Sequence, residues 1–285
     1  MSGLRVLKPG PQSLLQDAGR RGWQHLSVSP AGPLDWHGAA WANHLLNNPW
    51  GTPLLEIALG GLELQAEVDT WVAVCGAQVP LRKGQLLRLG FARSGQRAYL
   101  AVAGGFIAAP LLGSVSVQLR EGLGQAVQAG DLLACRPAHF TRAVSVPWPY
   151  LPDYRCKPLL RVITGGDAAN FEEDQLQGFF AQTWQLSPHS DRMGARLLGE
   201  AVQPPVRQWS LGVGRGAIQV PPDGQPIILQ ADHQSMGGYP LLGWLHPLDQ
   251  VRLAQCPAHH PLRFTPVSIG DAQAELREFY RFFRR

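Results

Sequence analysis

Three short stretches gather acids, amides and arginines closely enough to handle a small polar molecule. Gln16-Asp17-Ala18-Gly19-Arg20 sets an amide, a carboxylate and a guanidinium within one turn. Ser190-Asp191-Arg192-Met193-Gly194-Ala195-Arg196 repeats the acid and arginine theme. The third is longer: Gln219 precedes a Pro-Pro-Asp-Gly turn, then come Asp232-His233-Gln234 and Gly237-Gly238-Tyr239-Pro240. Arginine forks match carboxylates and phosphates. A carboxylate and a phenol within reach of each other can move protons. Asp17, Asp232 and Tyr239 are therefore the candidate catalytic groups, and Gln16, Arg20, Arg192, Arg196, Gln219 and Gln234 the candidate substrate-binding groups. The same residue types also serve structure: an acid and an arginine three apart can pair locally, and buried Asp and Tyr often satisfy turn amides.

Other chemistries lack their required spacing. No G-x-x-x-x-G-K-[ST] phosphate cradle occurs, and Gly212-x-Gly214-x-Gly216 has neither the lysine nor dinucleotide spacing, which leaves a flexible turn. Nucleophile elbows, S-x-x-K dyads and H-E-x-x-H helices are missing as well. The histidines are mostly isolated, and adjacent His259 and His260 would point apart on a strand, so no metal site is expected. The net charge of +4 is spread without a long basic run, which gives no support for nucleic-acid binding. Lys8, Lys83 and Lys157 are the three lysines, and none sits in a Met-Lys-Met biotin-attachment setting, so the chain should carry no covalent biotin. Cys75, Cys135, Cys156 and Cys256 form no C-x-x-C pair and no apolar leader opens the chain, so a reducing, cytoplasmic setting is expected. No apolar run approaches the ~20 residues needed to cross a bilayer.

The elements that must position these groups are mainly strands. With 32 glycines and 24 prolines the chain favours short strands and tight turns over long helices. Leu4 to Leu7 opens as a strand, and residues 13–17 run extended after Pro9-Gly10-Pro11. Asp35 caps a helix of about three turns, ended by Asn47-Asn48-Pro49. Residues 53–90 and 98–102 read as strands from their alternating or continuous apolar pattern. Gly130 to Leu133 reads as turn plus strand. Three prolines within 146–152 mark an interdomain linker, giving domains at 1–145 and 159–285 around a linker at 146–158. Beyond it the sequence predicts a strand over 159–164, then a helix capped by Asp167 and running to about Phe180. Further strands are predicted at 183–186, 218–220, 226–230, 251–254 and 262–267. A terminal helix follows the Ser268-x-x-Asp271 capping box, with Leu276, Phe279, Tyr280 and Phe283 along one stripe.

These motifs, in this order, carry a resemblance. Gln16-Asp17-x-Gly19-Arg20, Gly32-x-x-Asp35, Ala101-Val102-Ala103-Gly104-Gly105 and Leu112-Gly113-Ser114 resemble the first half of the allophanate hydrolase subunit 2 family. Ser190-Asp191-Arg192-Met193-Gly194-x-Arg196-Leu197, Gly216-Ala217-Ile218-Gln219-Val220-Pro221 and Gly237-Gly238-Tyr239-Pro240 resemble its second half. The likeness runs from about Leu4 to Phe264 and by length is nearest the 5-oxoprolinase branch. It implies a mainly β fold of two cyclophilin-like β-barrel domains with a few helices. It also implies ATP-driven opening of 5-oxo-L-proline to L-glutamate in a composite site. The implied partners are the B component of such an enzyme, of the allophanate hydrolase subunit 1 type, and a third, A component. ATP would be bound by or shared with the partner. Related domains form the carboxyltransferase half of biotin-dependent urea carboxylase, and others antagonise an inhibitor of a sporulation kinase. Ser235-Met236 stands where the family has two threonines, keeping one hydroxyl and replacing the other.

Overall fold

The computed structural model describes residues 2–283 apart from 140–142, 148, 149, 152 and 156. The expected linker at 146–158 and Cys156 thus lie partly or wholly outside the described residues. Two compact units result, Met1–Arg20 with Ala31–Tyr154, and Arg21–Pro30 with Arg155–Phe283.

The first unit contains β1 (Gly3–Pro9), β2 (Gln12–Gln16), α1 (Trp36–Leu45), β3 (Leu54–Ala58), β4 (Leu62–Ala66), β5 (Thr70–Val74), β6 (Ala77–Leu81), β7 (Leu86–Arg88), β8 (Arg97–Val102) and β9 (Leu132–Ala134). The strands divide into two sheets, ordered β7-β4-β1-β9 and β2-β3-β8-β5-β6. Both supply one core. In β4 Leu62, Leu64 and Ala66 turn inward while Glu63 and Gln65 face out, the period-two pattern of a half-covered strand; β5 is buried throughout. Val146, at the edge of the proline-rich stretch, packs with Leu45 and Ala73. Asp35 caps α1 as expected, its Oδ1 accepting from Gly38 N at 2.7 Å. Behind that cap lies a buried network: Asp35 N donates to Tyr99 Oη at 2.7 Å, and Tyr99 Oη and Leu34 N each donate to Glu56 Oε2 at 2.8 Å.

In the second unit follow β10 (Leu159–Thr164), α2 (Glu173–Ala181), β11 (Trp184–Leu186), β12 (Gly194–Leu198), β13 (Leu211–Gly212), β14 (Ala217–Gln219), β15 (Ile227–Leu229), β16 (Met236–Gly237), β17 (Leu241–Leu245), α3 (Pro247–Leu253), β18 (Pro261–Pro266) and α4 (Ile269–Phe283). Seven strands close a barrel in the order β10-β17-β14-β15-β12-β11-β18, sealed by the parallel pairing of β10 with β18. Its interior holds Leu160, Val162, Trp184, Ile218, Ile228, Leu242 and Phe264 among others. Outside, Ala217, Leu229 and Leu241 form a small second apolar layer, with Leu211 and Val213 packed against it. Strands β13 and β16 pair as a separate two-stranded ribbon.

The mainly β expectation holds, and three local readings change. Residues 251–254, read as a strand, end helix α3: Pro247 occupies its first turn, and His246 caps it by accepting from Leu248 N. Val251 and Leu253 are both buried there, which mimics a strand pattern. The helix expected from Asp167 to Phe180 is split. Asp167 gives its carboxylate to Leu241 N and Arg207 instead of capping, a 3-10 turn covers Ala168–Asn170, and Phe171 and Glu172 are extended before α2. Strands β12 and β17, which frame the functional residues, were not anticipated. Half of the capping box before α4 forms: Ser268 Oγ accepts from Asp271 N, and its hydroxyl donates to Asp271 Oδ2.

Candidate functional site

In the first unit the candidates converge on one loop. Gln16 ends β2 fully buried, donating to Val117 O and accepting from Gly32 N. Sequence reasoning offers Asp17 as a proton acceptor; the structure fills both of its oxygens. Oδ1 accepts from Ser114 Oγ (2.5 Å), Ser116 Oγ (2.7 Å) and Gly19 N (2.9 Å), and Oδ2 from Val115 N (2.8 Å). Arg20 is 1 % exposed and donates to the carbonyls of Leu111, Ser114 and Ser116. The expected local Asp17–Arg20 pair does not form. Both side chains instead bind the 111–117 loop, one through its donors and the other through its acceptors.

The second unit brings most of the other candidates to the outer face of the barrel. Arg192 lies just before β12 and forks onto Asp232, Nε to Oδ2 at 2.9 Å and Nη2 to Oδ1 at 2.8 Å. Both side chains are 10 % exposed, so the charges sit in a poorly solvated setting and stabilise each other. Two backbone bonds donated from the segment after β15, Gln230 N to Met193 O and Asp232 N to Arg192 O, extend the β12–β15 pairing to this point. Arg196, further along β12, is exposed. It is in register with Ile227, whose other neighbour is Gln219, so Arg196, Ile227 and Gln219 form a row across β12, β15 and β14. Neighbouring strands are roughly 5 Å apart, so about 10 Å separates the two polar residues at the backbone.

Gln219 is 1 % exposed and accepts at Oε1 from Gln234 Nε2 at 3.2 Å. Gln219 Nε2 and Gln234 Oε1 are buried and have no hydrogen-bond partner among the described residues. Tyr239, expected to work with Asp232, is 45 % exposed, and no hydrogen bond joins its hydroxyl to that carboxylate among the described residues. The reason is local: its backbone carbonyl is held by Arg207 Nη1, which also binds Asp167 Oδ2, while Asp232 is turned toward Arg192.

His233 and Arg207 belong to this locus and were missed by motif reading. His233 Nδ1 lies 2.7 Å from the Gln234 carbonyl, so this nitrogen carries the proton. Burial, reinforced by nearby Arg215, pushes the imidazole pKa down and keeps the ring neutral, which leaves Nε2 as a basic acceptor. Its place between Asp232 and Gln234 was the available signal. Among the described residues no cluster of His, Cys, Asp and Glu could hold a metal ion. No described helix is long and apolar enough to cross a membrane.

A mainly β chain with a closed barrel carrying polar residues on its outer face matches the profile of the carboxyltransferase domain family, subdomain A and B, over residues 26–266, and the chain belongs to that family. Within it, the chain is 32 % identical to the C subunit of 5-oxoprolinase from Escherichia coli K12, over 99 % of its own length and 97 % of that protein's. Among solved structures it matches TTHA0988 at 33 % identity with a TM-score of 0.83, covering 93 % of this chain and 55 % of that one. The Kluyveromyces lactis urea amidolyase matches at 25 % identity and a TM-score of 0.87 over the whole chain, which spans 20 % of that protein. This chain therefore corresponds to nearly all of the bacterial relative and to a part of the longer solved chains.

Proposed function

We propose that the chain is the C component of an ATP-dependent 5-oxoprolinase, converting 5-oxo-L-proline to L-glutamate. Its site is shared with a B component of the allophanate hydrolase subunit 1 type and served by an A component. The carrying observation is the near end-to-end match, in both directions, to the C component of a bacterial 5-oxoprolinase. ATP supplies activation of the resonance-stabilised amide oxygen. Among the described residues no phosphate cradle is found: the Gly212–Gly216 turn lacks the lysine, and the Arg192 fork is taken up by Asp232. ATP is therefore assigned to the partner side. On this chain Gln219 and Gln234 hold the ring amide and Arg196 attracts the substrate carboxylate across the Ile227 row. Neutral His233 accepts a proton from the attacking water, and Tyr239 donates toward the leaving nitrogen. The Arg192–Asp232 fork fixes the segment bearing His233, while Gln16, Asp17 and Arg20 hold the 111–117 loop.

The test is ATP-dependent glutamate release by the chain reconstituted with its A and B partners, compared with the same mixture lacking it. Turnover should require all three; equal turnover without this chain, or turnover by the chain alone, overturns the reading. The family's description favours a second reading, the acceptor half of a biotin-dependent carboxyl transfer. That reading predicts carboxyl transfer from carboxybiotin on a separate protein, with no biotin mass added to this chain.

A further inference from the structure

We infer that Gln219 and Gln234 form a reader for the amide edge of a ring-closed amide, one donor and one acceptor set side by side; this rests on the lactam-substrate reading above. The two amides share a single hydrogen bond, Gln234 Nε2 to Gln219 Oε1 at 3.2 Å. The pair could satisfy itself by closing a second bond, from Gln219 Nε2 to Gln234 Oε1, and does not. Those two atoms stay buried and unpartnered among the described residues. Leaving both unpaired opposes folding, and binding a complementary group relieves it. One is a donor and the other an acceptor. Ring closure forces an amide to be cis, so its C=O and N–H lie on the same edge, as an acceptor and a donor. An open-chain secondary amide is trans and points them in opposite directions. The Gln219 amide thus donates to the lactam oxygen and the Gln234 carbonyl accepts the lactam N–H.

Gly237 supports this assignment. A Cβ at that position would lie 2.2 Å from Gln219 Nε2 and 3.1 Å from Val213 Cγ1. The Gln219 carboxamide therefore packs directly over the backbone of this β16 glycine, and any side chain there would push the unpaired donor out of place. Gln219 ends β14 and is in register with Ile227 of β15 and Leu241 of β17. Its carboxamide is thus a fixed feature of the barrel wall.

The test uses the reconstituted three-component enzyme with 5-oxo-L-proline as substrate, and 2-pyrrolidinone and γ-butyrolactone as competitive inhibitors. The lactone keeps the carbonyl and replaces the N–H with an oxygen. Wild type should be inhibited at least tenfold more weakly by the lactone. Gln234→Met should bring that ratio near one. Gln219→Glu keeps the oxygen that Gln234 binds and removes the donor, so it should raise KM for 5-oxoproline at least tenfold and weaken both inhibitors. Gly237→Ala should raise KM in the same way. Complex assembly by size-exclusion chromatography checks folding. For any variant that fails to assemble, the side-chain NH2 resonances of Gln219 and Gln234 are followed in the wild-type full chain as 2-pyrrolidinone is added, and they should shift. An unchanged lactam-to-lactone ratio in Gln234→Met, or unmoved resonances, overturns the inference while the 5-oxoprolinase reading stands. A wild-type complex with no 5-oxoproline turnover refutes that reading and the inference with it.

Discussion

Replacing Asp232 by alanine separates a structural role from a chemical one, and the structure sets the size of the effect. The substitution leaves the Arg192 guanidinium without the carboxylate that takes its Nε at 2.9 Å and its Nη2 at 2.8 Å, in a place where both side chains are 10 % exposed. Removing one partner of a poorly solvated ion pair costs about 3–5 kcal/mol, because the remaining charge keeps its desolvation penalty. For a unit of this size that lowers Tm by roughly 10 °C or more. The double substitution Arg192→Leu with Asp232→Leu removes both charges and should return to within about 1 kcal/mol of wild type. Urea unfolding of wild type, Asp232→Ala and the double variant measures this, with the slope m held constant as the check on comparability. A loss below about 0.5 kcal/mol for Asp232→Ala, the range of ordinary surface substitutions, would refute the argument that the fork is desolvated. If the double variant is stable yet inactive in the reconstituted complex, the fork positions His233 and Gln234 for the reaction. Full activity in the double variant would assign it to stability alone.

Three further expectations rest on buried groups. His246 is fully buried at the start of α3, and its pKa is pushed down by burial first and by Arg161 next, with Asp249 and Glu275 opposing. The folded chain then binds fewer protons than the unfolded one just below pH 6.5, so stability is present above that pH and lost as pH falls through the depressed folded pKa. His233 and His260 are shifted the same way. Tm should therefore decline from pH 7.5 to 5.5, and His246→Asn, which retains a capping acceptor for Leu248 N, should flatten that decline. Tyr99→Phe should destabilise the first unit by about 1–3 kcal/mol in chemical unfolding, since it strips Asp35 N and Glu56 Oε2 of a buried partner. Tyr99 itself is held protonated well above pH 10 by burial and then by Glu56 and Asp35. Ultraviolet titration should show it unionised until the protein unfolds, with stability falling as pH rises past 10. Cys135, buried with its thiol pushed up to about 11, should resist iodoacetamide at pH 8 in the native protein and react on unfolding, as read by mass spectrometry.

Much of the fold was legible because its signals are local. Alternation in β4, the Asp35 cap of α1 and the Ser268 box before α4 each depend on residues a few positions apart. The failures came where distant partners decide. Asp167 has the composition of a cap, but Arg207 and the Leu241 amide, 40 and 74 residues away, claim its carboxylate. Residues 251–254 show apolar alternation because both a helix against a barrel and a strand within one can bury every second residue over so short a span. Pro247, four residues upstream, was the better guide. Strand β17 contains Gly243 in an otherwise apolar run, and a glycine in a short run reads more readily as a break than as a place where backbones approach closely.

Site residues were legible as types but not as roles, and their hydrogen bonds make the difference. Asp17 and Asp232 look alike in sequence, each an acid within two residues of a glutamine in a polar, glycine-flanked stretch. Asp17 takes three hydrogen bonds from the 111–117 loop and a fourth from Gly19 N, so both of its oxygens are engaged in holding local structure. Asp232 is bound to the Arg192 guanidinium at the head of a segment whose next two side chains are unfinished: a neutral histidine and an amide lacking one partner. A polar cluster that closes all its bonds internally stabilises the fold. One that leaves a buried donor and acceptor open beside a glycine carries a standing free-energy penalty, and natural folds keep such penalties where a ligand relieves them. By that criterion Gln219 and Gln234, on the outer face of the barrel, are the candidates for ligand contact, while the bonds that Asp17 and Arg20 do make tie down the 111–117 loop.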